Sequence, residues 1–243
     1  MATPSVSHWT CAVPKDGADA ADYEDAAAFE GDDWPVCAAV ADGATESVFA
    51  RTWAKRLVRG VAVQAATTAE AFGDRVQDWQ AEWQAAVRER AADRPWYVAA
   101  KAAEGAFATV LGLSLHADGR WRAVSLGDCC LFHVREGALV QSWPFASPDA
   151  FTNRPILVPS QPSRDVPSAD ATTGAWQPGD RFVLATDAGA AWLLRAGLDV
   201  LREGPEAVQD RVQAARADGS LRNDDVTFLV LDLASAPGAN ENA

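Results

Sequence analysis

Hydrophobic positions recur along the chain with two different periods, and the changes from one to the other mark the elements. Val36 to Ala41 is a short unbroken apolar run that stops at Asp42-Gly43, which predicts a strand running into a turn. From about Glu46 to Ala65 the period is helical. Phe49, Trp53, Leu57 and Val61 recur at every fourth residue, with Ala50, Ala54 and Val58 beside them. Thr45 is the expected N-cap, with Glu46 in the first turn. A second helix is predicted from about Asp74 to Ala91, with Val76, Trp79, Trp83 and Val87 on its core face. A third begins near Pro95, a residue suited to the first helical position.

The period then drops to two. Phe107, Thr109, Leu111, Leu113 and Leu115 share one face of a strand, Asp118-Gly119 makes a hairpin turn, and Arg120 to Leu126 returns. Cys129 to Val134 forms another strand, and Glu136-Gly137 turns into a short one around Leu139. Between Pro144 and Pro167 six prolines exclude a helix or a central strand, so this segment is an irregular loop or flap. A strand from Arg181 to Thr186, helices from Ala188 to about Ala196 and from Pro205 to Ala217, and a last strand from Val226 to Leu233 complete the order. Antiparallel strands with long helices inserted between them predict an α+β fold, helices outside and sheets within. No repeat or second core appears, so residues 1–233 read as one domain and 234–243 as a flexible tail.

Charge narrows the class of partner. With 34 Asp+Glu against 21 Lys+Arg the formal charge is -13, which disfavours nucleic acid and anionic membranes as partners. No apolar run is long enough to span a bilayer, and the first residues lack the basic start and apolar run of a signal peptide, so a cytoplasmic protein is the expectation. Cys11, Cys37, Cys129 and Cys130 form no C-x-x-C and have no paired spacing with His8, His116 or His133. They are expected to be small buried hydrophobes rather than zinc ligands.

The acidic residues carry the functional argument. Asp42 ends one apolar run, Asp187 ends another, and Asp224-Asp225 immediately precede a third. Taken singly, each fits a cap on the helix or turn that follows. Taken together, carboxylates at the mouths of buried strands are costly without a compensating cation, and oxygen-rich sites suit Mg²⁺ or Mn²⁺.

Five segments, in this order, resemble motifs of the PPM family of metal-dependent protein phosphatases (type 2C Ser/Thr phosphatases). They are Tyr23-Glu24-Asp25-Ala26, Val40-Ala41-Asp42-Gly43, Ser125-Leu126-Gly127-Asp128, Leu184-Ala185-Thr186-Asp187 and Asn223-Asp224-Asp225-Val226-Thr227. The resemblance implies a β-sandwich of two antiparallel sheets flanked by helices. It also implies two divalent ions, Mn²⁺ or Mg²⁺. Asp42 would bridge them, Asp187 and Asp224 would complete one site, and Glu24 with the Gly43 carbonyl the other, with Asp25 behind them. The implied activity is hydrolysis of phosphoserine or phosphothreonine in a protein substrate by a metal-activated water, opposing a Ser/Thr kinase. The alternative is a pseudophosphatase that docks a kinase or another signalling partner.

Departures from the motif pattern bear on activity. Ala20 stands where the family is expected to hold a phosphate-binding Arg, leaving Lys15 or another basic residue to take that role. A Gly-Thr-Thr segment is replaced by Gly105-Ala106-Phe107, and Glu104 is the sole acid where a carboxylate for an additional metal is expected. Ala188 follows the third Asp in place of Gly, and Cys129-Cys130 replace Ser-Arg. Asp128 is expected to serve as a turn residue, and the Pro-rich segment is either a flap beside the site or a passive surface loop.

Overall fold

The computed structural model describes residues 4–19, 21–45, 49–91, 96–152 and 154–234. Strand β1 spans Ser5–Val13, β2 Ala26–Glu30 and β3 Val36–Ala41; helices α1 (Ala50–Val63), α2 (Ala69–Ala91) and α3 (Trp96–Glu104) follow. Then come β4 (Phe107–Ala108), β5 (Val110–Leu115), β6 (Arg120–Leu126), β7 (Cys130–Arg135), β8 (Ala138–Trp143), β9 (Val158–Pro159), β10 (Asp170–Ala175) and β11 (Arg181–Ala185). Helix α4 (Asp187–Ala196), helix α5 (Pro205–Ala217) and β12 (Val226–Ala234) close the chain. Two five-stranded antiparallel sheets form, ordered β1-β12-β11-β7-β8 and β10-β6-β5-β3-β2, with β4 and β9 as a small separate pair. The fold class is therefore the expected one: α+β, two antiparallel sheets with flanking helices.

Strands buried on both faces explain the unbroken apolar runs. Leu111, Leu113 and Leu115 of β5 meet Leu229, Leu231 and Leu233 of β12 and Phe182 and Leu184 of β11 between the sheets. The alternate residues face outward: Ala39, Ala41 and Val110 pack on α1 and α2, while Val226, Phe228 and Val230 pack on α4 and α5. The result is four layers, helix–sheet–sheet–helix, with three apolar seams. Trp79 and Trp83 of α2 lie in the first seam at 0% and 1% exposure, as the periodicity anticipated.

That seam leaves no slack. A Cβ on Gly60 would lie 2.3 Å from the Trp79 ring, so α1 and α2 close on each other through this glycine. Gly60→Ala is expected to destabilise the protein by roughly 1–3 kcal/mol through overpacking. A thermal melt should show the midpoint falling by about 2–4 °C per kcal/mol in a domain of this size.

Several expectations shift. Helix α1 starts at Ala50 and not at Glu46: Phe49 occupies the capping position with φ 69 and no side-chain cap, so Thr45 is not the N-cap. Glu46 lies outside the described residues. The predicted strand from Phe107 is broken at Thr109, whose N–H donates 2.9 Å to the Asp42 carbonyl instead of continuing the ladder. Ala234 belongs to β12 and not to the tail, pairing with Ser5, and 235–243 lie outside the described residues. The Pro-rich segment carries a 3-10 turn at Pro148–Ala150 and the two residues of β9, and is otherwise irregular. No helix among the described residues is long and apolar enough to cross a membrane.

Candidate metal centre

Antiparallel pairing gathers the acidic motifs at one end of the sandwich. Ala26 pairs with Ala41, so Glu24-Asp25 before β2 sits beside Asp42 after β3. In the other sheet Ala185 pairs with both Phe228 and Cys130, which places Asp187, Asp224-Asp225 and Asp128 on the same rim. Asp42, Asp187 and Asp224 line one cleft of about 800 Å³. Glu24 lines an adjoining hollow with Lys15 and Arg51, and Thr45 is common to both. Gly43 lies between: a Cβ there would approach the Glu24 carbonyl to 2.9 Å and the Ala50 backbone to 3.0 Å, so only glycine lets these strands meet.

A set of neighbouring groups holds Glu24 and Asp25 in place. Asp225 accepts from the backbone N–H of Glu24 at 2.7 Å and of Lys15 at 2.9 Å, tying the segment before β2 to the start of β12. Lys15 Nζ stands 3.5 Å from Glu24. Asp25 is 2% exposed, and its Oδ2 accepts from the hydroxyls of Thr186 at 2.8 Å and Thr227 at 2.7 Å. Tyr23 Oη shares a short hydrogen bond with the same Thr227 hydroxyl. Asp25 thus has one oxygen fixed by the second sheet, while its Oδ1 is buried with no hydrogen-bond partner.

Asp128 lies in the bend where the sequence expectation put it, but its side chain turns inward. Gly127, at φ 113, turns the chain so that Asp128 enters the interior at 3% exposure, with neither carboxylate oxygen bonded to another residue. No spacing rule separates this aspartate from an ordinary turn; only its position beside the other acids does. Burial pushes the Asp128 carboxyl up to about 7, and the nearby Asp187 adds to this. Asp25 also rises to about 7, first through burial and then through Asp225 and Asp187, against the pull of its two threonines. Asp42 is raised well above the carboxylate range by burial and by Asp25, Asp187, Asp224 and Asp128. Burial raises Asp187 as well, although Arg222 opposes it.

Arg222 is the second residue the sequence did not suggest. Its Nη2 donates to Asp187 at 2.5 Å and to Asp224 at 2.7 Å. Among the described residues no three His, Cys, Asp or Glu side chains close on a common point; Asp187 and Asp224 are drawn to this guanidinium instead. The donor set still fits hard divalent cations. It consists of carboxylate oxygens and the Gly43 carbonyl, three of the carboxylate oxygens nearby are buried without a donor, and a cation offsets that cost.

Positive charge arrives from the Pro-rich segment. Arg154 and Arg164 line the same cleft as the aspartates, together with Lys101 and Glu104. The Arg164 guanidinium lies 5.1 Å from the centre of the Phe107 ring. The segment is thus part of the cleft wall. Ala20, where a phosphate-binding Arg was looked for, lies outside the described residues.

A sequence model of the family described as Protein phosphatase 2C matches residues 18–223. No curated protein sequence matches this one. Among solved structures the chain is similar to the catalytic domain of the serine/threonine phosphatase PstP in complex with two manganese ions, at 18% identity and a TM-score of 0.65, covering 96% of this chain and 100% of that one. The Mycobacterium tuberculosis phosphatase PstP/Ppp gives 17% identity and a TM-score of 0.63, over 95% and 99% of the two chains. RsbX in complex with magnesium gives 17% and 0.54, over 96% and 100%. At these identities the likeness is one of fold.

Proposed function

The chain belongs to the protein phosphatase 2C family, whose sequence model spans residues 18–223, and from that premise we propose that it is a metal-dependent phosphatase acting on phosphoserine and phosphothreonine in proteins. One observation carries the reading: acids from five separate segments gather at one rim, with buried oxygens that lack donors, beside a cleft that arginines also line. Isolated structural carboxylates are paired or solvated. These are neither.

Asp42, Asp187 and Asp224, with Glu24 and the Gly43 carbonyl, are the residues that would hold two divalent ions. Asp128 joins them as a further candidate ligand, and Asp25 supports them from behind. Such ions, Mn²⁺ or Mg²⁺, supply the acidity that ionises water near neutral pH and the charge that offsets phosphoryl oxygens. The chain's own residues do the rest. Asp225 holds the Glu24 backbone, and Thr186 and Thr227 fix the Asp25 carboxylate. Arg154 and Arg164 present guanidinium groups to an incoming phosphate, the role for which a forked donor is best suited. Arg222 neutralises Asp187 and Asp224 when no other cation does.

The test is turnover of a phosphothreonine peptide and of an aryl phosphate by purified protein, with Mn²⁺ and with chelator. Turnover that requires Mn²⁺ is expected. Ala20 favours a second reading, the pseudophosphatase that docks a signalling partner. Calorimetric Mn²⁺ binding without turnover of either substrate would decide for it.

A further inference from the structure

A second concentration of positive charge on this acidic protein lies outside the cleft. Arg51, Lys55, Arg56 and Arg59 of α1 and Arg90 of α2 line a groove of about 570 Å³ floored by Trp83. These are five of the chain's 21 Lys+Arg, in a protein of net charge -13, and among the described residues no carboxylate lines the groove. Arg51, Lys55 and Arg59 follow one another at i, i+4 and i+8, a stripe of like charges that weakens the helix carrying it. Arg56 is paired with Glu82, and Arg90 donates to the Thr52 hydroxyl at 3.0 Å. Lys55 and Arg59 are exposed and have no ion-pair partner among the described residues. Burial and the neighbouring Arg51 and Arg90 lower the Lys55 pKa, as expected for crowded like charges.

Position gives the stripe a purpose. Helix α1 begins where Ala50 touches Gly43, and Arg51 and Thr52 line both this groove and the hollow that contains Glu24. From Arg51 to Arg59 the stripe runs about 12 Å along the helix, the reach of about four extended residues. The cleft and the hollow share Thr45, and the hollow and the groove share Arg51 and Thr52, so the three depressions adjoin. We propose that this groove docks acidic segments of substrate proteins, so that the enzyme selects phosphorylated residues with Asp or Glu side chains several positions away. The proposal rests on the phosphatase reading for the word substrate, but the binding of acidic chain by the groove does not. The net charge of -13 opposes nucleic acid as the occupant.

The experiment uses the full chain and the double variant Lys55→Gln/Arg59→Gln, which removes two exposed, unpartnered charges. Two fluorescein-labelled phosphothreonine peptides serve as probes, one flanked by Glu and one by Gln at the same positions. Unphosphorylated versions of both are included. In fluorescence anisotropy at low salt the wild-type protein should bind the unphosphorylated Glu peptide on the order of tenfold more tightly than the Gln peptide. Added salt and the double variant should both abolish that preference. In turnover, the variant should raise KM for the Glu phosphopeptide on the order of tenfold while kcat and aryl phosphate hydrolysis stay unchanged. Equal binding of Glu and Gln peptides, or an unaffected double variant, overturns the proposal. So does an oligodeoxynucleotide of matched charge that binds more tightly than the Glu peptide. Absence of any turnover with the Glu preference intact would sink the phosphatase reading while supporting the groove as an acidic-segment site.

Discussion

Asp187→Asn is expected to lower turnover by roughly 10²–10³-fold, the scale on which removing one preorganised charged or polar group from a catalytic site is felt. The side chain is 8% exposed, and its Oδ1 accepts from the Ala188 N–H at the start of α4. Asparagine is isosteric and keeps an oxygen for that bond, so the fold should persist. What it loses is the charge that acts on Asp25, Asp42 and Asp128 alike. Two readouts therefore separate a site residue from a structural one. Mn²⁺ affinity, by calorimetry, should fall along with turnover. The melting temperature of the metal-free variant should be equal to or above that of the wild type, because repulsion within the cluster is relieved. This is the pattern of sites that give up stability for function. A metal-free variant that melts well below wild type would assign Asp187 a packing role and remove it from the proposed centre.

The second large effect is on stability itself, and its sign follows from the same acids. Asp25 and Asp128 titrate near 7 in the folded chain, against about 3.9 for an unfolded aspartate. Between these values the native state binds protons that the unfolded state has released, so stability falls as pH rises from about 4 to 7. In chelator the melting temperature should accordingly be higher at pH 5 than at pH 7.5. Divalent metal competes for the same oxygens and should have its greatest effect at the upper end. At a concentration about 100 times its dissociation constant it adds roughly 2.7 kcal/mol, or about 5–11 °C in a domain of this size. Calorimetry at both pH values, with and without Mn²⁺, checks both signs. Asp128→Asn should flatten the pH dependence in chelator. A midpoint that ignores Mn²⁺ at pH 7.5 would count against the centre.

How much of this was legible in the sequence depended on burial. Strand β3, covered on both faces, announced itself as an unbroken apolar run, and β5, β6 and β11 through their alternation and turns. Strands β1, β2 and β10 form sheet edges, and β1 and β10 are largely exposed. Segments such as Asp170–Ala175 carry too few apolar side chains to show a period, because pairing with β6 and not packing makes them strands. The acids that interrupt apolar runs stood out for the same reason that β3 did. Asp128 did not, since Gly-Asp after a strand is ordinary turn chemistry. Only the pairing of Cys130 with Ala185, 55 positions away in sequence, brings it to Asp187. Arg222, Arg154 and Arg164 were silent because an arginine in a loop has no pattern; the direction the loop faces gives it meaning.

The pairing of β1 with β12 has a consequence for the order in which the protein can become functional. Lys15 and Asp225 are joined by a hydrogen bond between residues 210 positions apart, and Glu24 is held to the same Asp225 across 201. Contacts of such sequence separation close late, since the loop entropy must be met before they stabilise anything. A nascent chain still lacking its last strand has Asp42, Asp187 and Asp224 but no β1–β12 pairing to bring Asp225 to Lys15 and Glu24, and so nothing to hold Glu24 in place. The rim therefore assembles in the same step that completes the sheet. Chains cut short before β12 should have no competent site at all, so that Mn²⁺-dependent turnover by the full chain, the expected result, would report the finished fold rather than any part of it.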